Sequence, residues 1–329
     1  MRTFYLQWHI SEACNLKCKH CYQEDHKPVQ LDFDTLLSFL NQYRELLSEL
    51  KIKGHINLTG GEPLCSPYLF KLLDEFKKDS DLYSFSILTN GTLLTKELAE
   101  KISEYNPEYI QVSLEGGKRT NDFVRGEGVY KKVGEAIKLL KKNNIFTSIS
   151  FTATKINYKE FPLVVKYAEK LGVDNVWSDR FIPLGTDYDK EFIMNVEETQ
   201  EYLDIMAKER VRLIKKHSNT HVSMNRALQF TRTQNYAYHC NAGRELLTIM
   251  ENGDLVPCRR MPIVVGNLIK DNMLKLYKTN KILKDLQKEV ITEDCLTCED
   301  AKQCQGGLRC LTYALTGNYK LKDPGCNIE

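Results

Sequence analysis

The chain has 329 residues, with 46 Lys and Arg against 44 Asp and Glu and a formal net charge of +2. Such a balance gives no electrostatic case for nucleic acid or for an anionic membrane surface. A composition 42% hydrophobic and 27% charged excludes a disordered chain. No apolar run reaches the ~18 residues of a membrane span, and the N-terminus has no signal-peptide pattern, so a cytoplasmic protein is expected. In a reducing compartment the 11 cysteines, odd in number and bunched at both ends, read as metal ligands rather than disulfides.

Hydrophobic periodicity predicts a strand over 4–10, then a helix with Leu36, Leu40, Tyr43, Leu47 and Leu50 on one face. Strands over 55–59, 85–89, 109–114, 147–152 and 175–182 follow, separated by helices over 69–76, 98–105, 129–140 and 161–171. A charged helix over 196–216 comes next. Six β-then-α units in a row predict an α/β fold with a parallel sheet and right-handed crossovers, open or rolled into a partial (β/α)6 barrel. Polar and Gly-rich residues stand just after the strands, where such folds place active sites. The expected division is an α/β unit over 1–190, a helical bridge over 191–235 and a cysteine-rich domain over 236–329. The alternation stops near Tyr236, and the last part has too few apolar residues to fold without a metal or a covalent staple.

Directly after the first strand, Cys14-Asn-Leu-Lys-Cys18-Lys-His-Cys21-Tyr22 puts three thiols within eight residues of loop. Soft sulfur ligands select iron–sulfur, zinc or copper(I). Three ligands leave one metal position open, which is how a protein exposes a metal to substrate. His9, His20 or His26 as a fourth ligand would make a structural zinc site instead.

The triplet with Tyr22, placed after the first strand of a βα series, resembles the radical S-adenosylmethionine superfamily. Gly60-Gly61-Glu62-Pro63 after strand two is similar to the family motif that meets the methionine amino group, its glycines allowing close approach to a ligand. Thr89-Asn90-Gly91 ends strand three. Ser113 ends strand four, and Arg125 follows in Phe123-Val124-Arg125-Gly126. The resemblance implies that Ser113 and Arg125 meet the ribose or carboxylate of S-adenosylmethionine. Tyr22, Gly60, Gly61, Glu62, Asn90 and Arg180 complete the expected cofactor-binding set. Gln7, Thr152, Thr154, Trp177 and Asp179 are further candidates for the interior wall.

The later cysteines resemble the SPASM domain, an extension of that superfamily that binds one or two auxiliary iron–sulfur clusters. Cys240 precedes Gly253-Asp-Leu-Val-Pro-Cys258, Cys295, Cys298 and Cys304 follow in family spacing, and Cys326 lies in Asp323-Pro324-Gly325-Cys326. One position departs: Leu308 takes a usual cysteine place, and a thiol, Cys310, appears two residues later. Cys295, Cys298, Cys304 and Cys326 are then expected to ligate one cluster fully. Cys240, Cys258 and Cys310 would hold the other, with an open iron for a substrate thiolate. Cys65 reads first as a small buried hydrophobe, and its place beside the cofactor motif leaves a functional role open.

The resemblance implies [4Fe-4S]-dependent cleavage of S-adenosylmethionine, a 5′-deoxyadenosyl radical, hydrogen abstraction from substrate, auxiliary clusters that accept an electron, and strictly anaerobic activity. A ribosomally made peptide, cross-linked through a thioether or carbon–carbon bond, is the expected substrate. A flavodoxin- or ferredoxin-type electron donor is the expected partner. With three residues ahead of the first strand, a separate leader-binding protein or direct capture of the peptide is expected. Oxidation of a protein side chain, as in sulfatase maturation, ranks lower because Arg259 and Arg260, not Asp, follow Cys258. Modification of a small-molecule or tetrapyrrole precursor stays open, as does a zinc-stabilised binding module without catalysis.

Overall fold

In the computed structural model, described over residues 2–23, 31–184, 189–233, 239–288 and 292–328, alternating strands and helices build the first half. In chain order these are β1 (Thr3–His9), α1 (Phe33–Leu50), β2 (Lys53–Thr59), α2 (Leu69–Lys78), β3 (Tyr83–Thr89), α3 (Lys96–Ser103), β4 (Tyr109–Ser113), α4 (Lys118–Arg125), α5 (Val129–Lys142), β5 (Thr147–Ala153), α6 (Phe161–Leu171) and β6 (Asn175–Arg180). The rest comprises α7 (Asp189–Phe192), α8 (Val196–Lys215), β7 (His221–Ser223), β8 (Leu246–Ile249), β9 (Asp254–Val256), β10 (Gly266–Asn267), α9 (Met273–Thr279), α10 (Lys281–Leu286), α11 (Ala301–Cys304) and α12 (Arg309–Thr316).

The strands share one sheet in the order β10-β9-β8-β1-β2-β3-β4-β5-β6-β7, parallel from β8 through β7. Strand β1 shows why the sheet is two-sided. Phe4, Leu6 and Trp8 are fully buried on the helix side, while Tyr5 and Gln7, one residue out of phase, face a cavity. Helix α1 covers that outer face with Leu36, Phe39, Leu40, Tyr43, Leu46 and Leu47, and the Tyr43 hydroxyl donates to the Phe4 carbonyl at 2.6 Å. Asp32 caps its start by accepting from the Thr35 amide. Residues from every strand from β1 through β8 line one interior cavity, so the sheet is rolled around it.

The six expected βα units are present, but the sheet goes further. β7 extends it beyond β6, and β8 pairs in parallel with β1. The bridging segment therefore carries a strand as well as α8, and the cysteine-rich part enters the same sheet. Runs of three and four residues are too short for period counting to find. Helix α4, also unexpected, is a two-turn element between Gly117 and Gly126 with only three buried positions. The cysteine-rich part keeps a small core of its own, with Ile182, Met261, Leu286, Leu308 and Leu311 among its members.

Candidate active site

The loop that carries Cys14, Cys18 and Cys21 leaves the C-terminal end of β1 and is stitched to the strand ends beside it. Gly61 N–H donates to the Ser11 carbonyl and Glu62 N–H to the Ala13 carbonyl, both at 2.9 Å. A Cβ on Gly61 would lie 2.3 Å from the Glu12 carbonyl oxygen, and Gly60 has φ +133° with the Ser11 oxygen 2.2 Å from its would-be Cβ. The two glycines are thus required by the approach of the cysteine loop itself, a closer constraint than the ligand approach expected for them. Lys19 N–H donates to the Val124 carbonyl and ties the loop to the end of α4.

Cys14, Cys18 and Cys21 open onto one cavity of about 190 Å³ together with Tyr22, Gly60, Gly61, Asn90, Ser113, Arg125 and Arg180. Residues from the ends of β1, β2, β3, β4 and β6, far apart in sequence, therefore converge. The Asn90 side-chain amide lies 3.9 Å from Cys14 Sγ and donates to Asn15 at 2.9 Å. The Arg125 guanidinium lies 3.8 Å from Cys18 Sγ and donates to Glu115 at 2.6 Å. Burial pushes the Cys14 thiol up to about 11 and raises Cys18, the latter opposed by Arg125. A coordinating iron offsets that cost, since it binds thiolates.

Glu62 stands at the start of the turn Pro63–Cys65. It is fully buried and off the cavity wall, accepting from Thr89 Oγ1 at 2.6 Å, Asn90 N at 2.7 Å and Leu64 N at 3.1 Å. Burial raises its carboxyl despite these bonds. Its place is behind the wall, bracing the β2 and β3 ends. Arg180 lines the cavity while its guanidinium makes a two-pronged pair with Asp323 at 2.7 and 2.6 Å. Asp179 and Thr154 also turn inward, onto Arg260 at 2.7 Å and Asn157 at 2.8 Å.

Glu115 is the site residue the sequence reading passed over, although it lies only two residues past Ser113 at the end of β4. It is 1% exposed and accepts from Arg125, with His20 3.3 Å away and the Thr152 amide donating at 2.8 Å. Burial would push its carboxyl up, but Arg125 and His20 outweigh it and hold it at about 2. His20 thus faces a carboxylate. His9 is fully buried and held neutral, pushed down to about 3 chiefly by burial. His26 lies outside the described residues. Cys65 is half-buried in the turn Pro63–Cys65 rather than fully buried.

The later cysteines separate into two groups. Cys295, Cys298, Cys304 and Cys326 line one small cavity with Asp300 and Lys322. Cys240, Cys258 and Cys310 line another with Arg226 and Arg260. Leu308, in the usual cysteine place, lines that second cavity from a position just before α12, and Cys310 in the first turn of the helix brings a thiol to it. Asp323 joins the groups: it accepts from Leu308 N and Gly325 N, both at 2.8 Å, while holding Arg180. Among the described residues no three such side chains close on a single metal-ion position; the thiols ring shared cavities, and as a donor set of soft sulfur they suit iron–sulfur clusters.

A larger cavity of about 440 Å³ lies within the rolled sheet, and it shares Leu88, Gln111, Arg259 and Arg260 with the first and Cys258 with the Cys240–Cys258–Cys310 group. Gln7 and Trp177 line it, whereas Thr152 lines the first cavity. No helix among the described residues is long and apolar enough to cross a membrane.

Known proteins share this fold. Residues 8–168 match the radical SAM superfamily, and residues 240–300 match SPASM, an iron–sulfur cluster-binding domain. An AdoMet-dependent heme synthase of Methanosarcina barkeri is 25% identical over 98% of this chain and 95% of its own length. The mycofactocin maturase MftC of Mycolicibacterium smegmatis is 25% identical over 98% of this chain and 82% of its own. Among solved structures, anSMEcpe with bound AdoMet and the Cp18Cys peptide superposes with a TM-score of 0.81 at 21% identity, covering 99% of this chain and 94% of that one. Streptococcus suis SuiB bound to its precursor peptide SuiA gives 0.76 at 18%, covering 99% and 76%. The chain belongs to the radical S-adenosylmethionine superfamily and carries a SPASM domain, with the S-adenosylmethionine and iron–sulfur cofactors that these imply.

Proposed function

We propose that this enzyme modifies a ribosomally made peptide by abstracting hydrogen from a side chain and joining it through a thioether or carbon–carbon bond. The observation that carries this reading is the shared wall: the Cys14–Cys18–Cys21 cavity opens beside the large interior cavity, and that cavity reaches Cys258. A side chain lodged there lies between a hydrogen-abstracting centre and a second sulfur-ligated centre that can take up an electron. The likeness to MftC and to SuiB with its precursor peptide supports a peptide substrate.

The three thiols would hold the first cluster, and the Cys240 and Cys295 groups the auxiliary ones. Bound at the first site, cluster and S-adenosylmethionine supply hydrogen-abstracting chemistry. The chain's own residues orient and enclose it. Glu115 holds Arg125 over the cysteine loop, Glu62 fixes Asn90 beside Cys14, and Ser113 and Tyr22 furnish the remaining polar wall. A flavodoxin- or ferredoxin-type donor and a separate leader-binding protein belong to the same reading.

Anaerobic, iron-loaded and chemically reduced protein is expected to release 5′-deoxyadenosine from S-adenosylmethionine. The yield should rise with precursor peptides encoded beside its gene, and the peptide should lose two hydrogens by mass. A Cys14/Cys18/Cys21→Ala triple variant is expected to release none. No response to any peptide would favour a second reading, a tetrapyrrole precursor. The heme synthase that aligns over nearly its whole length supports that alternative, and Fe-coproporphyrin III is the substrate to try.

A further inference from the structure

The two cavities meet at Arg259 and Arg260, and among the described residues neither wall carries an Asp or Glu. Behind the junction, Asp179 receives Arg260 at 2.7 Å and lies 3.7 Å from Arg226. One carboxylate thus faces two guanidinium groups. Both guanidiniums sit against Trp177, at 5.4 and 5.6 Å from its ring centre, and Trp177 is itself pinned by Nε1 donating to Gln111 at 2.5 Å. Arg226 and Arg260 also line the Cys240–Cys258–Cys310 pocket.

Arg259 differs from both. It does not line that thiol pocket. Its Nη1 donates to Thr59 Oγ1 at 3.1 Å, and among the described residues no carboxylate stands within ion-pair range. A partly buried guanidinium on a wall without acidic groups is stabilised by an anion from outside, and a planar fork matches a carboxylate with two parallel hydrogen bonds.

We infer that Arg259 anchors a carboxylate of the substrate at the junction of the two cavities and so sets which atom faces the Cys14–Cys18–Cys21 site. This rests on the reading of the interior cavity as the substrate site. The anchor directly follows Cys258, so substrate placement and the auxiliary site are fixed by adjacent residues. The carboxylate can belong to a peptide, at its C-terminus or on an acidic side chain, or to the propionates of a tetrapyrrole.

Equilibrium binding to the anaerobic, iron-loaded enzyme tests it with two matched pairs. These are dansyl-Gly-Gly-Tyr as free acid and as amide, and Fe-coproporphyrin III and its tetramethyl ester. At least one acid is expected to bind roughly ten-fold or more tightly than its neutral twin, the range of a charge-assisted hydrogen bond. Arg259→Gln should erase that preference, and Arg259→Lys should restore part of it. Preference in the peptide pair assigns a peptide carboxylate, and preference in the porphyrin pair assigns a propionate. Equal binding within both pairs, no binding by either acid, or a preference that survives in Arg259→Gln would overturn the proposal. If wild-type enzyme still releases 5′-deoxyadenosine in that case, only the anchor has failed; if it does not, the reaction reading has failed too.

Discussion

Asp323 ties β6 to two segments of the cysteine-rich part. It pairs with Arg180 from β6 in a setting where the two side chains are 1% and 6% exposed, and it accepts amides from both auxiliary thiol segments. Arg180 holds the carboxyl below its ordinary range in spite of burial. Removing one partner of such a pair leaves an uncompensated buried charge, at a cost of roughly 3–5 kcal/mol. Asp323→Asn and Arg180→Met are each expected to lose about that much unfolding free energy in anaerobic denaturant titrations. Losses near those of exposed pairs, up to about 1 kcal/mol, would show that the pair is not a latch. At the same scale, Gly61→Ala puts a Cβ within 2.4 Å of two carbonyl oxygens of the cysteine loop. That variant should lower the melting temperature and lose iron from the first site, while the auxiliary iron stays.

Among the elements, the strand ends do the assembling and the short helix α12 brings a third thiol to the cavity of Cys240 and Cys258. Arg309 opens that helix, so Cys310 stands in its first turn facing Cys240 and Cys258, and Leu308 packs beside them. With ligation by Cys310, Cys310→Ala is expected to remove about four of about twelve irons, the content of one four-iron cluster. Leu308→Ala should remove none. Equal iron in wild type and Cys310→Ala would take Cys310 off the ligand set. The α4 helix has a comparable role on the other side: its last residue is Arg125, and Gly126 at φ +117° turns the chain away immediately after.

At the scale of the whole molecule, one sheet joins the two cofactor regions, yet their apolar support is unequal. The large core runs from β1 through β9 and takes in α9 and α10, whereas the segment around α11 and α12 relies on a handful of apolar side chains. Ligation energy is then folding energy for that segment. Iron chelation is expected to expose residues 292–328 to fast amide hydrogen exchange while β1–β6 keep their protection. Uniform loss of protection across the chain would mean that the clusters support the barrel as much as the tail.

The local features were decided by the sequence alone: the six long strands, the amphipathic helices between them, the three-cysteine loop and the glycine pair beside it. Each depends on spacing within one segment, and periodicity or motif spacing reports that directly. The displacement of a thiol from position 308 to 310 was also legible, because it is a matter of counting. Contacts across the fold were decided only by tertiary structure. Asp323 reaches Arg180 across 143 positions, Glu115 orients Arg125, Glu62 withdraws behind the wall, and Arg259 comes to stand where two cavities join. Nothing in the neighbourhood of these residues in sequence marks their partners. A charged side chain is read as exposed until packing removes the water and leaves it one partner, and that choice belongs to the rolled sheet.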